Sequence, residues 1–184
     1  MSKAIVLMAE GFEPIEALTA VDVLRRGGVE VTTAAVGSSL EVAGAHGVTV
    51  RADVLLKDLS GEPADAVVFP GGPGTGNLKI PPVFKLLAQY RDAGRLICAI
   101  CAAPTVLVEA GVLESDTHVT CYPTCAFDLD RPCAGAPVVE DGNFITGQAP
   151  GASMLFALVV LSRLAGEKVA AKVARGMVTD VLGA

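Results

Sequence analysis

The 184-residue chain contains no tryptophan, only two histidines, and no run of lysine or arginine longer than the pair Arg25-Arg26. Its formal net charge is −6. Without a basic patch the chain has no electrostatic footprint for a nucleic acid, so nucleic-acid binding is not expected. Because His46 and His118 are the only histidines, the sequence offers no clear Cys-His-Asp triad.

The chain also lacks a long apolar run. The stretch from Ala149 to Ser162 begins with Pro150, Gly151 and Ser153, and its strictly apolar part is shorter than the roughly 20 residues of a membrane span. The first residues, "MSKAIVLMAEGFEP", lack the basic region, apolar stretch and cleavage site of a signal peptide. We therefore expect a buried core helix, no membrane partner and a cytoplasmic protein.

Five cysteines are an odd number for a disulfide framework. In a reducing compartment, structural disulfides are not expected. The length and the 52% hydrophobic content predict a single domain over residues 1–184 with a substantial core.

Short apolar strands alternate with helices along the chain. The segment "KAIVLMA" is followed by a helical stripe in "EGFEPIEALTAVDVLRRGG" and by the strand "VEVTTAAV", which is the spacing of a βαβ unit. The strands "AVVF" and "RLICAI" precede the helices "PPVFKLLAQYRDAG" and "AAPTVLVEAG". The pattern predicts an α/β fold, an open and mostly parallel sheet with helices on both faces.

The remaining elements are smaller. The segment "LEVAGAHGVTVRAD" predicts a small hairpin or meander, and "APVVEDGNFITG" predicts a hairpin with its turn at Asp141-Gly142. A weak strand is expected at His118–Cys121, with helices at Ala152–Leu164 and Glu167–Arg175. Ligands of open α/β sheets bind beyond the carboxyl ends of the strands. This places "AEGFEPIE", "PGGPGTGN" and Cys101 at the candidate site.

Cys98 and Cys101 are three residues apart at the end of "RLICAI", so strand alternation predicts that they point to opposite faces. Cys98 is expected to be a buried apolar residue. Cys101 immediately precedes the start of a helix, whose free N–H groups and dipole lower the pKa of a nearby thiol. A nucleophile at a strand-to-helix elbow and an inert buried thiol both fit this pattern.

Other chemistries fit less well. A thioredoxin-type CxxC begins at a helix start and not inside a strand. Cys121, Cys125 and Cys133, with His118, match no compact zinc module. The segment "GGPGTG" lacks the Lys-Ser/Thr ending of a phosphate-binding loop.

A thiolate nucleophile needs an activator and a site for a developing oxyanion. Glu16, in the first turn of the first helix, is the candidate activator, although a first-turn glutamate can serve the helix dipole alone. Gly71-Gly72 can offer exposed backbone N–H groups or form only a tight turn.

The segments "EGFEPIE", "VVFPGGPG" and "AICAAPTVLVEAG" resemble the ThiJ/PfpI superfamily, in the branch of the parkinsonism-associated protein deglycase and its bacterial relatives. The likeness extends through "VDVLRRGG" and "GQAPGASMLFAL". It implies a flavodoxin-like fold and usually a homodimer. A reaction carried by a thiolate and a carboxyl group requires no metal or glutathione, so no cofactor is expected.

The resemblance also assigns residues. It implies that Cys101 is the nucleophile, that Glu16 hydrogen-bonds the thiolate, and that the N–H groups of Gly72 and Ala102 face the reactive group. Four further residues are expected at the substrate: Tyr122, His46, Arg26 and Pro150. Tyr122 stands where the family branch has a histidine and can equally be a wall of the pocket. His46 stands where it has an arginine. Arg26 is expected to approach the neighbouring subunit's site or to be a solvated helix end.

Two functions follow from these residues. The first is a cysteine-dependent, glutathione-independent glyoxalase or deglycase, which converts a small α-oxoaldehyde such as methylglyoxal into a 2-hydroxy acid. The second is an oxidative-stress sensor or holdase-type chaperone that uses the same thiol. A glutamine amidotransferase would need a His-x-Glu pair late in the chain, and none follows His118.

Overall fold

The computed structural model describes residues 1–59 and 61–179 and contains a seven-stranded sheet. The strands run in the order β5-β2-β1-β6-β7-β9-β8, and every neighbouring pair is parallel except β8 and β9. The sheet strands are β1 (Lys3–Ala9), β2 (Glu30–Val36), β5 (Val54–Leu55), β6 (Ala66–Phe69), β7 (Leu96–Ile100), β8 (Val138–Asp141) and β9 (Phe144–Gly147).

Helices cover both faces of this sheet. On one face lie α1 (Pro14–Arg26), α4 (Ser153–Ala165) and α5 (Glu167–Gly176); on the other lie α2 (Pro81–Asp92) and α3 (Pro104–Glu109). Every residue of β6 and β7 is buried, which explains why these strands are continuously apolar. The predicted α/β architecture is therefore confirmed.

Both predicted hairpins are present. The small one pairs β3 (Glu41–Ala43) with β4 (Thr49–Arg51) and is separate from the main sheet. In the second, Asp141 pairs with Phe144, so the turn is Gly142-Asn143, one residue later than predicted. Gly142 has φ +55°, and this left-handed conformation favours glycine there.

The strand expected at His118–Cys121 is wrong. Val119 makes only an isolated bridge to Cys133, and side chains satisfy the neighbouring N–H groups. The His118 N–H donates to Asp141 Oδ2 at 2.8 Å, and the Thr120 N–H donates to Thr146 Oγ1 at 2.9 Å. These contacts replace the backbone ladder that a strand would need.

None of the helices in the part of the chain that the structure describes is both long and apolar enough to cross a membrane. The longest apolar segment forms α4, which packs against α1 and the sheet. It is a core helix, as its sequence predicts.

Candidate active site

Three loops meet at the carboxyl edge of the sheet, after β1, β6 and β7. The first two loops touch backbone to backbone: the Gly74 N–H donates to Gly11 O at 3.0 Å, and the Glu13 N–H donates to Gly71 O at 2.9 Å. A Cβ atom at Gly74 would lie 1.9 Å from the Glu10 carbonyl oxygen. Glycine is therefore required for this close approach.

Cys101 follows β7 in a left-handed backbone conformation, with φ +66°. Its N–H donates to Gly147 O, and its carbonyl oxygen accepts from the Tyr122 N–H at 2.8 Å. A non-glycine residue in this region carries backbone strain that its surroundings must hold in place. Residues 100–103, called the thiol elbow below, form the sharp turn between β7 and α3.

The predicted orientation of Cys98 and Cys101 is wrong because of this turn. Cys98 and Cys101 both pack into the core on the α1 side of the sheet. Strand alternation would place them on opposite faces, but it holds only while the backbone stays extended. The positive φ of Cys101 returns its side chain to the face of Cys98. Cys98 is fully buried, as predicted.

Glu16 lies in the first turn of α1 and is only 1% exposed. Its Oε2 accepts a hydrogen bond from the Gly71 N–H at 2.7 Å. The other oxygen, Oε1, is buried without a fully formed hydrogen bond among the described residues. The thiol of Cys101 is the side chain that this carboxyl group approaches.

Burial raises the pKa of Glu16 to about 7, against the lowering effects of the Gly71 N–H and the Cys101 thiol. A carboxyl group with this pKa can gain or lose a proton at neutral pH. The structure thus places a group able to act as acid and as base beside the candidate nucleophile.

The sequence predicts a lowered pKa for the Cys101 thiol. This prediction is wrong while Glu16 is ionised. Burial, followed by the charge and hydrogen bond of Glu16, raises the pKa of the Cys101 thiol to about 12. The N–H groups of Ala102 and Gly72 lower it, but by less. The sequence indicates the N–H donors and Glu16, but not the burial and the charge of Glu16 that together outweigh those donors.

The two acids must therefore be treated as one pair that shares protons. When Glu16 holds the proton, its negative charge is gone and its O–H can donate to the sulfur. The Ala102 and Gly72 N–H groups then face a thiolate without an opposing charge. A thiolate can form by transfer of the thiol proton to Glu16, with no change in the charge of the pair.

Glu13 also lies at this site, although it is not among the residues predicted from the sequence. It is 7% exposed, and its Oε1 caps α1 by accepting from the Ile15 N–H at 3.3 Å. Its Oε2 lies 3.4 Å from His46 Nε2. The signal available in the sequence is its position directly before Pro14, where helix-capping side chains stand.

The four predicted substrate residues are placed differently. His46 (φ +58°) and Tyr122 are exposed near the site, His46 against Glu13 and Tyr122 next to the thiol elbow. Pro150 begins a short turn after β9, at the same sheet edge. Arg26 is ten positions beyond Glu16 on α1, about 15 Å away along the helix axis. It pairs with Asp22 and is not part of this chain's own site.

The described residues contain no group of three or more His, Cys, Asp or Glu side chains able to hold a metal ion. The site brings together a thiol, a carboxyl group and backbone N–H donors. These can add a sulfur to a carbonyl carbon and move protons around it.

A family model described as the DJ-1/PfpI family matches residues 2–163. The chain belongs to the DJ-1/PfpI family. It is 39% identical over 183 residues to protein dj-1beta of Drosophila melanogaster, which covers 96% of this chain and 97% of that protein. It is 38% identical over 173 residues to the glutathione-independent glyoxalase DJR-1.2 of Caenorhabditis elegans, covering 90% and 89% of the two chains.

A further relative and a solved structure also match the chain. The chain is 36% identical over 183 residues to protein DJ-1 homolog B of Arabidopsis thaliana. The match covers 96% of this chain but only 41% of that longer protein. An oxidized DJ-1 structure from Toxoplasma gondii superimposes with a TM-score of 0.92 at 30% identity, covering 97% of this chain and 98% of that one. The flavodoxin-like fold implied by the sequence resemblance is confirmed.

Proposed function

We propose that the protein is a cofactor-independent, glutathione-independent glyoxalase acting on small α-oxoaldehydes such as methylglyoxal. The observation that carries the proposal is the buried pair of Glu16 and Cys101, in which the carboxyl group has a pKa of about 7. The name of the C. elegans relative supports the same reaction class. A deglycase reaction would be the same chemistry on a glycated hemithioacetal or aminocarbinol.

The first step is addition of sulfur to the aldehyde. Glu16 accepts the thiol proton, and the Cys101 thiolate attacks the aldehyde carbon C1 to give a hemithioacetal oxyanion. The proton on Glu16 then neutralises that oxygen. The Ala102 and Gly72 N–H groups, which face the sulfur, stabilise negative charge first on the thiolate and then on the adjacent oxygen.

The second step is an internal redox transfer. The Glu16 carboxylate removes the hydrogen from C1 as a proton and returns it to C2 through an enediol, while the proton of the C1 hydroxyl passes to the C2 oxygen. C1 is thereby oxidised to a thioester, while the C2 ketone is reduced to an alcohol. Water then hydrolyses the thioester, releasing the 2-hydroxy acid and the free thiol. The sum is one aldehyde plus one water giving one lactate from methylglyoxal.

The test is lactate formation from methylglyoxal without glutathione. Cys101→Ser and Glu16→Gln should each lower the rate by about 100-fold or more. Cys125→Ser is the matched control, because this thiol lies in the segment beyond the elbow and takes no part in the steps above. Absence of lactate with verified reduced wild type would overturn the assignment for this substrate.

The alternative function, a redox sensor or holdase-type chaperone, uses the same pair. A protonated Glu16 can donate a hydrogen bond to an oxidised sulfur, which would favour a stable sulfinate. Peptide mass spectrometry after mild peroxide tests this: a gain of two oxygens at Cys101 that is lost in Glu16→Gln supports a sensor. A sensor need not turn over aldehyde, so the lactate assay separates the two functions.

The homodimer implied by the family resemblance is part of this proposal, with Arg26 approaching the partner's site. The exposed apolar side chains Ile15 and Leu18 of α1 and Leu155 of α4 support an interface on this side. Sedimentation velocity tests it, with a species of twice the chain mass as the expected result and a monomer at micromolar concentration as the contrary one.

A further inference from the structure

Two thiols outside the proposed mechanism lie side by side. The Sγ atoms of Cys121 and Cys133 are 3.2 Å apart, although the residues are twelve positions apart in the chain. Cys121 is buried, whereas Cys133 is partly exposed. Both are free cysteines in this structure.

The main chain holds these thiols together. Val119 and Cys133 form a parallel bridge, and the Ala134 N–H donates to Val119 O at 2.8 Å. Thr120 Oγ1 lies 2.7 Å from Ala134 O and 2.8 Å from Ala136 O. The two segments are thus fixed next to each other by contacts that do not involve the sulfurs.

The surroundings of the pair are those of a dithiol and not of a metal site. Cys121 Sγ lies 3.3 Å from Tyr122 O, and Cys133 Sγ lies 3.8 Å from Ala134 O. Among residues 1–59 and 61–179 no third His, Cys, Asp or Glu completes a metal-binding group here. A disulfide requires the sulfurs to approach by only about 1 Å more.

We propose that Cys121 and Cys133 form a redox-active dithiol that exchanges with low-molecular-weight disulfides. The thiolate of the more exposed Cys133 attacks one sulfur of the small disulfide, which forms a mixed disulfide and releases one small thiol. Cys121 then attacks the Cys133 sulfur and releases the second small thiol. Two protein thiols are oxidised, and the small disulfide is reduced to two thiols.

The resulting ring would enclose Tyr122, whose N–H bonds to the Cys101 carbonyl oxygen. The dithiol is therefore attached to the thiol elbow through one residue. Because exchange at Cys121 and Cys133 does not require Cys101, the inference stands independently of the proposed glyoxalase function.

The experiment equilibrates the purified protein with mixtures of oxidised and reduced glutathione, followed by acid quenching and alkylation of free thiols. A protease that cleaves before aspartate separates peptide 116–127, which holds Cys121 and Cys125, from peptide 130–140, which holds Cys133. A Cys121–Cys133 disulfide joins these peptides and leaves one alkylated cysteine in the first. Added reductant should separate them again.

The variants identify the partner sulfurs. The joined peptides should form in wild type, Cys101→Ser and Cys125→Ser, and should be absent in Cys121→Ser and Cys133→Ser. In Cys125→Ser the link can only be Cys121–Cys133, so this variant decides even if the other two fold poorly. Glutathione adducts without a link in Cys125→Ser, or thiols that stay free at every ratio, would overturn the proposal.

Discussion

At the scale of single residues, the proposed chemistry depends on one proton shared between Glu16 and Cys101. Burial raises the pKa of both groups, and the charge and hydrogen bond of Glu16 raise the pKa of the Cys101 thiol further. The first ionisation of the pair has the pKa of its easier member, about 7. The singly ionised pair can then place its charge on the sulfur.

This predicts the pH dependence of alkylation. The rate at which iodoacetamide modifies Cys101 should rise through an inflection near pH 7 and not near pH 9, the ordinary region for a thiol. Peptide mass spectrometry measures the rate at this residue. In Glu16→Gln the proton acceptor is gone, so the inflection should move to higher pH. An unchanged inflection in that variant would contradict the shared proton.

The sequence predicts which residues meet at the site but not how they act on one another. Cys101, Glu16 and the Gly71-Gly72 turn follow from the rule that strand carboxyl ends share one edge. The pKa of the thiol does not follow from that rule, because it depends on how deeply the thiol is buried and on the charge of Glu16 beside it. The sequence also does not predict which face of the sheet Cys101 points to, because the alternation of strand side chains ends at its positive φ. His118 is misassigned because its N–H is satisfied by an Asp141 side chain.

At the scale of elements, the loops after β1, β6 and β7 pack closely because glycines lie where the loops meet. A Cβ atom at Gly71 would lie 2.8 Å from the Ala102 nitrogen and 2.9 Å from Cys101 Cβ. These contacts are too short for a methyl group, so the thiol elbow must shift to admit one. The position of the nucleophile is thus set by a residue that has no side chain.

Gly71→Ala should therefore lower the free energy of unfolding by about 1–3 kcal/mol and lower lactate formation more than Gly76→Ala does. Gly76 lies in the same loop, and a Cβ atom there would meet nothing within 4 Å. Urea unfolding and the lactate assay measure the two effects. Equal results for both alanine variants would show that the contact at Gly71 does not position the elbow.

At the scale of the whole molecule, a buried acid makes the stability of the fold depend on pH. The pKa of Glu16 rises from its ordinary 4.5 to about 7 in the folded protein. Between these values the unfolded chain binds fewer protons at this residue than the folded chain does. The contribution of Glu16 is therefore fully stabilising below pH 4.5 and is lost as pH rises through 7.

We expect the ionisation of Glu16 to lower the free energy of unfolding by up to about 3 kcal/mol between pH 4.5 and 8. Glu16→Gln cannot ionise, so the fall should be smaller in this variant by that amount. Urea unfolding of both proteins at a series of pH values measures the difference. Parallel curves would mean that Glu16 ionises in the fold as easily as in the unfolded chain.

The most direct test of the central claim titrates Cys101 in the unmutated protein. Samples are alkylated to increasing extents, and for each sample the modified fraction of Cys101 and the rate of lactate formation from methylglyoxal are measured. We expect the rate of lactate formation to fall in proportion to the unmodified fraction of Cys101 and to reach zero when Cys101 is fully alkylated. Turnover that persists after complete modification of Cys101 would contradict the assignment of this thiol as the nucleophile.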